Sequence, residues 1–183
     1  MTTIERGAGG GTDVGDVTWD LSHLLDGDDD HAVEALLAAA EQQAEALASE
    51  RGRIRAFDSE ALHGFMTGLA ALQDALGRAG SYASLRFATD VTDPARSALM
   101  QQVQERGTAI HTSLLFFELE WAALDDAHAA ELLADERLDF CRHHLELARR
   151  HREHLLSEPE ERILAEKTAT GRAAWSRLFR ELT

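Results

Sequence analysis

From about residue 30 onward, apolar residues recur at intervals of three and four, the spacing that lines one face of an α-helix. Val33, Leu36, Leu37, Ala40, Ala44 and Leu47 form the first stripe, behind an acidic capping run at Asp28 to Asp30. The helix they predict frays near Gly52. A second stripe, Leu62, Phe65, Leu69, Leu72 and Leu76, starts at Asp58 or Ser59. Gly77 and Gly80 weaken this helix without ending it, because Tyr82, Leu85 and Phe87 continue the apolar content. Asp93-Pro94 supplies a cap and then a first-turn proline for a third helix. Leu99, Val103, Ile110, Leu114, Phe117, Trp121 and Leu124 carry its stripe for about eight turns. Asp125-Asp126 breaks and recaps the chain for a short helix through Leu133, and a fifth helix is predicted from about Glu136 to Leu155. Its inward positions are Leu138, Cys141, Leu145, Ala148 and Leu155.

The last segment reads as two more helix starts. Ser157 can cap, Pro159 suits a first turn, and Glu158, Glu160 and Glu161 sit where the positive end of a helix dipole favours carboxylates. Ser157 and Glu160 also have capping-box spacing. Thr170-Gly171 then restarts a helix carrying Trp175, Leu178 and Phe179. No alternating β pattern and no solenoid-length repeat compete with this reading. The expected fold is all-α, about six to seven helices in long antiparallel hairpins with short connections. Residues 1–16, with Gly7, Gly9, Gly10, Gly11 and Gly15, are expected to be a disordered leader. Trp19-Asp20-Leu21 opens the ordered part, residues 17–183, which form one helical domain.

Charge narrows the partners. A formal net charge of −15 argues against nucleic acid, since neutralising phosphates needs clustered Lys and Arg, and against an anionic membrane surface. No apolar run approaches a membrane span and no signal-peptide core is present. Cys141 is the single cysteine, so no internal disulfide can form, and the cytoplasm is the expected compartment.

Candidate chemistry is sparse. His143, His144, His151 and His154 cluster on the predicted fifth helix, with His144 and His151 on one face. A zinc pair on a helix is usually four residues apart, as in H-E-x-x-H, and no pair here has that spacing. Glu60-x-x-His63 is half of a di-iron carboxylate motif, but the second copy is missing. Cys141 falls on the apolar stripe, as an inert core thiol does. There is no nucleophile elbow, phosphate loop or dinucleotide fingerprint. No residue is therefore assigned a catalytic, cofactor-binding or metal-ligating role. The run Leu114 to Trp121 is apolar almost all round its helix; it is either the centre of the bundle or a face for another domain.

Several blocks nevertheless carry a family likeness. Phe116-Phe117-Glu118-Leu119-Glu120-Trp121, then Arg142-His143-His144-Leu145-Glu146 with Arg149-Arg150, then Leu156 to Lys167 and Thr170-Gly171 with Ala174-Trp175 follow one another in the order of the oligoendopeptidase F family of zinc metallopeptidases. The chain resembles the N-terminal helical portion of that family. The resemblance implies a longer parent whose N-terminal helices wall a deep channel that admits oligopeptides. It also implies a C-terminal catalytic domain that holds zinc through H-E-x-x-H and a downstream glutamate. This sequence contains no H-E-x-x-H, so no catalytic or metal residue carries over to any position here. The expectation is an N-terminal domain with its C-terminal catalytic domain absent, inactive alone and without a cofactor of its own. The alternative is a free-standing helical module that binds a peptide or protein. The two differ at Ile163, Trp175, Leu178 and Phe179, which a missing domain would leave uncovered and a free-standing module would bury or cover with a defined partner.

Overall fold

The computed structural model describes residues 20–25 and 30–182. The leader at 1–16, Trp19 and the cap expected at Asp28 lie outside the described residues. Among the described residues there are seven α-helices and no strand. They are α1 (Asp30–Ala48), α2 (Ser59–Thr89), α3 (Pro94–Ala122), α4 (Asp126–Leu133), α5 (Arg142–Arg150), α6 (Glu158–Thr170) and α7 (Arg172–Leu182). The fold is all-α.

Three helix starts rest on aspartate caps. Asp58 accepts from the Ala61 N–H at 2.8 Å, Asp93 from Ala95 at 2.8 Å, and Asp125 from Ala127 at 2.9 Å. Each such cap contributes about 1 kcal/mol by satisfying an amide that the first turn leaves unpaired. Pro94 follows its cap directly, where its missing N–H costs nothing. Gly77 and Gly80 lie inside α2 without interrupting it.

The fifth helix departs from expectation. Instead of running from Glu136 to Leu155, α5 covers only Arg142–Arg150, with 3-10 turns at Glu136–Leu138 and Arg152–His154. The cause is local. The Asp135 carboxylate accepts from the Arg137 N–H at 2.9 Å, and its carbonyl accepts from the Leu138 N–H at 3.1 Å. Cys141 then bonds back to the Leu138 carbonyl at 3.0 Å, so three-residue closures replace four-residue ones. The inward set holds as far as Ala148, while Leu155, beyond the end of α5, is only half-buried and outside the core. Leu138, Cys141 and Leu145 are buried and Ala148 packs against them.

The core has two clusters along the long helices. Leu25, Val33, Leu37, Tyr82, Phe87, Leu99 and Val103 fill one end; Leu62, Phe65, Phe116, Phe117, Trp121, Leu138 and Leu145 fill the other. All seven stripe positions predicted for α3 are buried. Phe65 stacks on Phe117 with ring centres 4.5 Å apart and meets Phe116 edge-on at 6.4 Å. Leu114 to Phe117 are also buried, so this run is the centre of the bundle. Between α1 and α3, the Arg106 guanidinium takes Glu41 in a two-pronged pair at 2.6 and 2.7 Å and Glu34 at 2.6 Å. α6 lies along α3, and α7 packs chiefly on α6.

Candidate functional site

Three of the sequence blocks that carry the family likeness meet in space, and Trp121, Glu120 and Arg149 act there as staples. The Trp121 indole N–H, fully buried, donates to the Leu145 carbonyl at 2.9 Å. Arg149 returns from α5 to the end of α3, donating to the carbonyls of Trp121 and Leu124, each at 2.8 Å, and to the Asp126 carboxylate. It thereby satisfies orphan carbonyls that a helix end otherwise leaves to water. Glu120 accepts the Gly52 N–H at 2.7 Å and the Ile54 N–H at 3.4 Å, pinning the connection between α1 and α2. Gly52 has φ of +80°, a left-handed conformation that favours glycine.

Arg51 joins this cluster to α6. Its guanidinium lies 4.6 Å from the centre of the Phe116 ring, donates to the Ser113 carbonyl at 3.2 Å, and pairs with Glu158 at 2.6 Å. The start of α6 is closed by Glu160, whose carboxylate accepts both the Ser157 N–H at 2.9 Å and its hydroxyl at 2.6 Å. Those bonds hold the Glu160 carboxyl below its usual range, the Ser157 hydroxyl contributing most. The sequence blocks include Ser157, Glu160, Glu120 and Arg149. They give no sign of Arg51, because a partner 107 positions away leaves no local pattern.

Beyond this junction α6 and α7 form an arm with a different character. None of their described side chains is buried. Ile163 is 56% exposed, Trp175 72%, Leu178 42% and Phe179 67%, and Leu164 and Leu182 are exposed beside them. On a helical wheel Ala174, Trp175, Leu178, Phe179 and Leu182 occupy one continuous arc of α7. The two helices meet at Gly171, where a Cβ would lie 2.8 Å from the Lys167 carbonyl oxygen, so the corner needs a residue without one. Ile163, Trp175, Leu178 and Phe179 are the side chains that separate a missing domain from a free-standing module, and the structure leaves all four uncovered.

The candidate chemical residues do not converge. His143, His144, His151 and His154 are all exposed, and the His151 ring closes locally on the Leu147 carbonyl at 2.9 Å. His63 meets the Phe140 ring edge-on at 6.1 Å, and Glu60 is exposed to solvent. The buried Cys141 thiol donates to the Leu138 carbonyl at 3.4 Å, and burial pushes its pKa up, away from the reactive thiolate. Among the described residues no group of three or more His, Cys, Asp or Glu could hold a metal ion. The donors described therefore do not fit a zinc ion. Among the same residues no helix is long and apolar enough to cross a membrane.

A cavity of about 130 Å³ opens between α2, α3 and α5, and a groove of about 210 Å³ runs from it along α5; Glu118 and His144 line both.

Residues 120–183 match the family model described as Oligopeptidase F, which covers the N-terminal domain of these peptidases. No curated protein and no solved structure matches the chain. The match begins at Glu120 and takes in Trp121, Arg149, the Ser157–Glu160 box and the arm. Over that stretch, which holds several of the staples together with the exposed apolar face, the chain is similar to the N-terminal portion of the oligopeptidase F family.

Proposed function

We propose that this domain is a channel wall of an oligoendopeptidase F-like zinc metalloendopeptidase. It encloses oligopeptides against a zinc-holding catalytic half and hydrolyses nothing by itself. One observation carries the reading: Trp175, Phe179, Leu182 and Ile163 stand exposed on α6 and α7, inside the family match. Large exposed apolar side chains grouped on one helix face mark a surface built for a partner. A free-standing module would bury them or cover them with a partner of its own. The bonded staples and helix caps support a structural role for these blocks.

Two measurements on the isolated chain test this. A dye for exposed apolar surface should light up, with light scattering showing a self-associating species; a clean, dye-silent monomer would count against the reading. A quenched oligopeptide should remain intact. Turnover that a chelator abolishes would overturn the claim that catalysis needs a second half.

A further inference from the structure

The cavity between α2, α3 and α5 is floored by Phe65, Leu72 and Leu114 and rimmed by His111, Glu118 and His144. At about 130 Å³ it is too small for a whole small-molecule ligand, which takes roughly 300–1,000 Å³. It is close to the roughly 150 Å³ apolar cavity known to stay dry and admit benzene. A single leucine- or phenylalanine-sized side chain therefore fits.

Its mouth is polar on a regular plan. His111 and Glu118 are seven residues apart on α3, and His144 and His151 are seven apart along α5 and its cap, so each pair shares a helix face. Glu118 and His144 stand between cavity and groove, lining both. Glu118 is exposed and has no hydrogen bond or ion pair among the described residues, unlike Glu120 two positions on, which is spent on backbone amides. An apolar slot with an uncommitted carboxylate at its lip, on a chain of net charge −15, complements an apolar side chain beside a positive charge.

We infer that this cavity and groove form a subsite for an apolar residue carrying an adjacent ammonium group, with the side chain in the cavity and the cation on Glu118. The inference rests on the channel-wall reading for its natural ligand, a peptide with such a residue at its amino end. Its test needs no catalytic half.

The full chain, isotope-labelled, is titrated with leucinamide and followed by NMR. Saturable shifts are expected at Phe65, Leu72 and Leu114, with dissociation in about the millimolar range. Acetylated leucinamide, which lacks the cation, should bind about threefold more weakly. Glycinamide, which lacks the side chain, should not shift the cavity residues. Glu118→Gln should erase the preference for the free amine, whereas Glu131→Gln on α4 should preserve it. Leu69→Phe, which fills the cavity from its partly buried rim, should weaken leucinamide at least tenfold while leaving the circular dichroism of the chain unchanged. Shifts confined to α7, no saturation, or equal binding of the acetylated compound would show a packing void and overturn the inference. If leucinamide fails while the chain still joins a catalytic half, only this subsite is lost; if it binds while that association fails, the channel-wall reading is lost.

Discussion

Trp121 and Trp175 are the same residue in two different physical situations. Trp121 in the α1–α5 body is 0% exposed, its ring beneath Arg149 and its indole N–H bonded to Leu145; Trp175 in the α6–α7 arm is 72% exposed. The body closes its apolar stripes on one another, starts its helices on local aspartate caps and staples the end of α3 with Arg149 from α5. The arm has a closed capping box and a well-formed amphipathic helix, yet presents its apolar side outward. Good local helix chemistry is thus separable from burial.

The largest effect should come from testing the two tryptophans directly. Trp121→Ala removes a fully buried indole together with its bond to the Leu145 carbonyl, so a loss of about 3–5 kcal/mol is expected in urea denaturation. Trp175→Ala should change stability by less than about 0.5 kcal/mol. Equal losses would erase the contrast. A smaller effect is expected at the seam between α3 and α5. Arg149→Met keeps the apolar stem but strips donors from two carbonyls and from Asp126, which should cost about 1–3 kcal/mol in the same measurement. A neutral Arg149→Met would mean that water serves those carbonyls as well as the guanidinium does.

The smallest effect lies in the body's surface chemistry. The Arg137 guanidinium and backbone N–H hold the Asp135 carboxyl at about 2, down from 3.8. A depressed carboxyl stabilises the fold above its unfolded value and loses that contribution as pH falls. The turn before α5 should therefore hold at pH 4 and loosen as pH drops toward 2. Carbon-detected NMR of the Asp135 carboxyl would follow this, and Arg137→Gln should return its titration toward 3.8. An unchanged titration in Arg137→Gln would assign the shift to the backbone alone.

Most of the body is legible in the amino-acid pattern. Asp58, Asp93, Asp125 and Ser157 start helices where that pattern predicts, because capping is a contact within three residues. The seven positions of the α3 stripe are buried because periodicity alone selects one face. The break in the fifth helix leaves no such trace, since Leu138, Cys141 and Leu145 keep helical spacing across it. A 3-10 turn and an α-turn differ too little in period for spacing to tell them apart. The Arg51–Glu158 pair and the cavity at Glu118 are likewise hidden, because they depend on which helices become neighbours. The family likeness picks out the right blocks, but only their arrangement in space reveals that Trp121, Arg149 and Glu120 hold backbone together.

Gly171 is the whole connection between α6 and α7, and a join one residue long leaves no slack. Lengthening it by a single position would re-aim everything that follows, because the corner itself is not helical. Trp175 and Phe179 would then face another quarter of space with their composition untouched. Insertion length at this corner, more than side-chain identity beyond it, governs which surface a docking half would meet.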